Sequence, residues 1–187
     1  TMKTNTKLTK LSLVLLLTFS LISGCAKPEP VVQESIDLDP VKQELLNEIN
    51  SLAEINDFEG LSMSVYWAHP ETRYRAKLTL DQLIEWPDKT FNLEGDDIKG
   101  KLDLFGQIQA EDIRLDPLQR GDVARFYLVI ESVEKGKLFD ILLFGYRGDI
   151  FIVNGVHIMA NQKILDMIMP LLNYDAKYNL RAYGEWF

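Results

Sequence analysis

The stretch that decides the fold is Ala124-Arg-Phe-Tyr-Leu-Val-Ile-Glu-Ser-Val133, continuing through Glu134-Lys135-Gly136 into Lys137-Leu-Phe-Asp-Ile-Leu-Leu-Phe-Gly-Tyr146. Both runs are rich in β-branched and aromatic residues, and a three-residue, glycine-ending connection separates them. Arg147-Gly148-Asp149 leads into a third run, Ile150-Phe-Ile-Val153, and Asn154-Gly155 follows. Asn-Gly is the dipeptide best suited to a tight hairpin, because both of its residues tolerate positive φ. Connections this short join antiparallel neighbours, whereas parallel strands need a crossover of a dozen residues or more. An antiparallel β-meander is therefore expected over Val123–His157.

Outward from the meander the period changes. Val41, Leu45, Ile49, Leu52 and Ile55 recur at helical spacing, and Asp39-Pro40 supplies an N-cap followed by proline in the first turn. Leu61-Ser-Met-Ser-Val-Tyr-Trp67 alternates and predicts a strand. Thr79-Leu-Asp-Gln82 has the form of a capping box opening a short helix that Pro87 stops. Lys89–Leu93 predicts a second strand. Ile98, Leu102, Phe105 and Ile108 stand at helical spacing behind Asp96 and Asp97, although Gly100 costs such a helix about 1 kcal/mol. Gln162–Leu172 predicts a last amphipathic helix, and the aromatic tail Tyr174–Phe187 is expected to pack back on the domain. The fold class is thus α+β: an antiparallel meander sheet with helices packed on one face.

The first residues have another character. Lys3, Lys7 and Lys10 precede an apolar run from Leu11 to Ile22, which has the length of a signal-peptide core and falls short of the ~20 residues that span a bilayer. The run ends in Ile22-Ser23-Gly24-Cys25. These four residues resemble the lipobox of the bacterial lipoprotein signal, in which a branched apolar residue and two small residues precede cysteine. The resemblance implies cleavage between Gly24 and Cys25, with a diacylglycerol carried on the Cys25 sulfur. Two acyl chains at ~0.8 kcal/mol per buried CH₂ anchor stably. It implies residues 1–24 as signal peptide and 25–38 as lipidated cysteine and tether, the latter stiffened by Pro28 and Pro30. Residues 39–187 form a single domain in this reading. The expected location is the extracytoplasmic face of the cell membrane. In addition, Ser64-Val-Tyr-Trp-Ala-His-Pro-Glu71, Val153-Asn-Gly-Val156 and Ile168-Met-Pro-Leu171 resemble segments of small Gram-positive lipoproteins that have no assigned activity.

Composition narrows the function classes. Cys25 is the only cysteine among the 187 residues, which excludes an internal disulfide and a cysteine zinc site. Net charge is −8, and removal of a leader with three lysines and no acids would make it about −11. Such a surface disfavours nucleic acid and anionic headgroups as partners of the domain itself. The membrane partner is reached through the lipid.

Candidates for chemistry are few. His69 and His157 are the only histidines; each is expected to be structural, although Ser62, Ser64 or Ser132 could in principle join one of them in a triad. Glu94, Asp96 and Asp97 surround Gly95 and are the nearest approach to a metal site, but a helix start accounts for the same acids. Asp88, Thr90 and Asn92 alternate as calcium ligands do, yet Leu93 stands where the loop needs glycine. No cofactor or catalytic motif is present, so no cofactor is expected. Arg147-Gly148-Asp149 is explained by a turn, and Thr72-Arg-Tyr-Arg75 by pairing with nearby acids. Three readings follow. The first is an envelope binding or accessory protein, acting through contacts with an envelope protein partner or by capture of a small ligand. The second is an envelope hydrolase with a site near His69 or Glu94–Asp97. The third is an immunity- or inhibitor-type protein whose acidity complements a basic target.

Overall fold

A computed structural model of the chain describes residues 38–187, apart from 70, 73–76, 119–122, 145–149 and 184–187. The leader, Cys25, most of the tether and Arg147-Gly148-Asp149 lie outside the described residues, as do Arg73, Tyr74 and Arg75. In chain order the elements are α1 (Leu38–Ser51), β1 (Leu61–Trp67), α2 (Leu80–Glu85) and β2 (Lys89–Glu94). After three 3-10 turns come β3 (Ala124–Ser132), β4 (Gly136–Phe144), β5 (Ile150–Val153) and β6 (Val156–Met159). The helices α3 (Gln162–Ile168) and α4 (Tyr174–Tyr183) close the chain.

The six strands form one sheet in the order β2-β1-β3-β4-β5-β6, and every neighbouring pair is antiparallel. The class is α+β, and β3 to β6 make the expected meander. The Asn154-Gly155 turn joins β5 to β6 with φ of 48° and 82° at its two residues, the mirror-image turn geometry that suits the twist of a hairpin. The other end is less simple. β1 and β2 are paired, but the chain then crosses back, so that β3 lies on the far side of β1.

One face of the sheet carries the main core. Met63, Val65 and Trp67 of β1 stand beside Phe126, Leu128 and Ile130 of β3 and Phe139, Ile141 and Leu143 of β4. Leu45 and Ile49 of α1, Ile164 and Ile168 of α3, and Ala176 and Leu180 of α4 cover them. The short α2 adds a second, smaller cluster on the opposite face, where Leu83 and Leu78 pack with Tyr127, Val129 and Leu142. Burial on both faces explains why residues 126–130 of β3 read as an unbroken apolar run instead of an alternation.

Four expectations change in detail. α1 is already helical at Leu38, the first described residue, so the expected cap at Asp39 lies inside the helix. The segment behind Asp96 and Asp97 forms 3-10 turns at Gly95–Asp97, Asp103–Gln107 and Ala110–Asp112 in place of a helix. Gly100, at φ 72°, breaks the helical path, while Ile98, Leu102, Phe105 and Ile108 are still all buried. Pro170 divides the last predicted helix, leaving α3 and a 3-10 turn at Met169–Leu171. Lastly, the tail through Tyr183 is helical and docks through Ala176, Asn179 and Leu180, but Tyr174 and Tyr178 face outward at 82% and 63% exposure. An i, i+4 pair shares one helix face, and here it is the face opposite the docked one.

Candidate functional site

The histidines do not meet the groups they would need. His69 lies two residues past the end of β1, its backbone N–H donates to the Asp88 carboxylate at 2.6 Å, and its Nδ1 accepts from the Glu71 backbone at 3.3 Å. The Thr72 hydroxyl donates to the same Asp88 oxygen at 3.1 Å. Asp88 therefore staples a loop to the start of β2. The calcium-like alternation ends there, because Thr90 and Asn92 lie in a strand, where alternate residues share one face and cannot wrap an ion.

Glu94, Asp96 and Asp97 are all exposed. They sit at the opposite end of β2 from His69, about 17 Å away at ~3.3 Å per residue. Among the described residues no group of three His, Cys, Asp or Glu side chains could hold a metal ion. His157 lies in β6 and pairs with Ile152; its Nδ1 is buried without a hydrogen-bond partner among the described residues. Ser62 and Ser64 are in β1, four strands from β6, or roughly 19 Å at ~4.8 Å per strand. His69 lies beyond the far end of β1 from Ser62, Ser64 and the Leu61-paired Ser132, so these residues assemble no Ser/His/Asp triad. The hydrolase reading thus has no convergence of its named groups to rest on.

The sheet instead forms a cleft where the β3–β4 connection meets the turn that enters β1. It has a volume of about 560 Å³ and is lined by Ile55, Asp57, Glu59, Gly60, Leu61, Ser132, Val133, Glu134, Lys135 and Leu138. The sequence builds it from two turns. Asp57 Oδ1 accepts from the Glu59 backbone at 3.0 Å, and the Phe58 carbonyl accepts from Leu61 N–H at 3.1 Å. On the other wall, Ser132 Oγ accepts from the Glu134 backbone at 3.3 Å. Val133 N–H donates to the Gly60 carbonyl at 3.0 Å and ties the two walls together.

The floor is apolar, with Leu61 buried and Ile55 and Leu138 half-buried. Val133 joins this lining at 87% exposure, the most exposed large apolar side chain described. The rim carries Asp57, Glu59 and Glu134 against a single cation, Lys135. Glu59 and Glu134 have no ion-pair partner among the described residues. The site is not legible in the sequence because Val133-Glu-Lys-Gly136 reads simply as a hairpin connection. The available signal was an aliphatic residue heading a turn where Gly, Asn, Asp or Ser is the usual choice.

Two other surface features are well defined. On the sheet face away from the main core, the Tyr127 hydroxyl donates to Asp140 Oδ2 at 3.1 Å, and Lys137 Nζ lies 3.0 Å from the same oxygen. Tyr66 stacks on Tyr127 with ring centroids 6.2 Å apart. At the β2 edge, Lys89 pairs with Asp175 at 2.9 Å and ties the first turn of α4 to the start of β2, near exposed Trp86. No described helix is long and apolar enough to cross a membrane.

Comparison with known proteins identifies no relative: no family model, curated protein or solved structure matches this chain.

Proposed function

We propose that the chain is a lipid-anchored extracytoplasmic protein that works by binding, as an accessory component at the cell envelope. The observation that carries the binding part is the preformed cleft between the β1 entry turn and the β3–β4 turn. Its walls are fixed by backbone hydrogen bonds and its floor is apolar, so a ligand segment meets a surface that need not be ordered on association. The anchoring part is supported by the basic residues, the short apolar run and Ile22-Ser23-Gly24-Cys25. An anchored binder confined to a surface meets partners at a high effective concentration, so modest contacts suffice.

The test is chemical crosslinking in intact cells that express the tagged chain, followed by pull-down and mass spectrometry, with cells lacking the tag as control. A discrete, stoichiometric envelope partner is the expected outcome. Recovery of no protein above the control sinks the accessory-protein reading. A more specific version, a protein that complements a basic target, is favoured by the excess of carboxylates on the cleft rim.

A further inference from the structure

We infer that the cleft receives a short cationic segment of a protein partner, one that presents an aliphatic side chain flanked by lysine or arginine. This rests on the binding reading above and specifies what is bound.

Three features of the site converge on that occupant. The first is Val133, which is 87% exposed in a lining it shares with the half-buried Ile55 and Leu138 and the buried Leu61. Exposed aliphatics scattered singly need no explanation, but one that lines a cleft with other apolar side chains offers contact area to another aliphatic group. The second is charge. Asp57, Glu59 and Glu134 line the cleft, and Lys135 is the one cation among its described lining residues. Asp57 is already engaged by the Glu59 backbone, while the carboxylates of Glu59 and Glu134 stand exposed on opposite walls. Cations placed on either side of a central aliphatic residue would reach both. An anionic segment, or an anionic lipid surface, would be repelled by the same pair and by the −8 net charge of the chain. The third is rigidity. The Gly60 to Val133 hydrogen bond holds the two walls at a fixed separation, so occupancy orders few of the protein's own groups.

A second copy of this chain is a poorer fit. Its surface is as acidic as the cleft, and pairing two such rims brings like charges together.

The experiment uses the full chain in detergent micelles. The probe is a fluorescein-labelled pentapeptide with a central leucine and two arginines on each side, and a matched peptide has glutamates in place of the arginines. Fluorescence anisotropy should show saturable binding of the arginine peptide and none of the glutamate peptide. Glu59→Gln with Glu134→Gln should weaken binding roughly five- to tenfold, the sum of two exposed charge contacts. Val133→Asn should weaken it at least about tenfold, the scale of one buried aliphatic contact. Raising salt from about 50 to about 300 mM should weaken binding by wild type more than by the double glutamine variant. All three side chains are exposed, and matching circular dichroism of the variants will show that the fold is kept.

The inference is overturned if the arginine peptide does not saturate, if the variants bind it as well as wild type does, or if both peptides bind equally. Concentration-dependent dimerisation abolished by Val133→Asn would also overturn it in favour of a second copy. The crosslinking experiment separates this inference from the broader reading. A cellular partner captured equally by wild type and by a variant combining Glu59→Gln, Glu134→Gln and Val133→Asn removes the cleft from the interaction and leaves the accessory role standing. Peptide binding without a cellular partner supports the cleft chemistry and removes the accessory role.

Discussion

Asp140 is the side chain whose surroundings say most about the outer sheet face. It is only 14% exposed in its side chain, and Oδ2 takes donors from Tyr127 and Lys137. Oδ1 is buried with no partner among the described residues. A half-satisfied carboxylate is sensitive to losing what it has, so Tyr127→Phe is expected to destabilise the domain by about 1–2 kcal/mol, measured by urea denaturation at neutral pH. A loss within error would mean that solvent replaces the hydroxyl freely. The same contact sets a pH dependence. Burial first, and then the negative charge of Asp140, push the Tyr127 hydroxyl above the ordinary phenol range. With the folded-state pKa raised above an unfolded value of ~10, the folded protein holds this proton more tightly. The contribution to stability is complete below pH ~10 and is lost as pH rises beyond it, by at most ~1.4 kcal/mol per pH unit. Wild type should therefore lose stability between about pH 10 and 11.5 more steeply than Tyr127→Phe does. Ultraviolet titration should show a late-ionising tyrosine component, and this component should vanish in the variant.

At the scale of elements, α2 makes the clearest demand. It has six residues, too few to persist alone. It is held by the reciprocal capping of Thr79 and Gln82 and by Leu83, which is fully buried against Tyr127, Val129 and Leu142. Leu83→Ala is expected to cost about 2–4 kcal/mol, and Thr79→Ala about 1 kcal/mol, both read from denaturation midpoints. A Leu83→Ala cost under ~0.5 kcal/mol would mean that the second cluster does not contribute to folding. The capping box was legible because its chemistry is local: four adjacent residues contain both hydrogen bonds. The 3-10 region was legible in only one respect. The periodicity marks Ile98, Leu102, Phe105 and Ile108 as a buried row, and they are one, but spacings of four, three and three fit a succession of tight turns as well as an α-helix. The positive φ of Gly100 decides between them, and a lone glycine does not announce its φ in sequence. The Tyr174 and Tyr178 pair failed for the opposite reason. Hydrophobic character predicted packing, whereas the smaller Ala176 and the more distant Leu180 are the residues that dock α4.

For the molecule as a whole, the strands joined by short connections were readable, and the one that crosses over was not. Turn residues fix β3 to β6 in sequence order, but nothing local records that β1 lies between β2 and β3. The cleft was hidden for the same reason, since residues 55–61 and 132–138 are remote in sequence and meet only through the β1–β3 pairing. The lipid anchor is the reverse case, a proposal carried wholly by a contiguous motif. Its test has to avoid membrane fractionation. If Cys25→Ala blocks processing, the uncleaved apolar run from Leu11 to Ile22 remains, and such a segment can hold the chain at the membrane without any lipid. Wild type and variant would then sediment together and the result would look like failure. The discriminating readouts are intact mass and incorporation of radiolabelled palmitate. Wild type should lack residues 1–24 and carry label, while Cys25→Ala should keep the leader and carry none. With Cys25 the only cysteine, no other thiol is available to take the lipid. Equal labelling of the two forms would remove the anchor and, with it, the reason to look for partners of the cleft at the cell envelope.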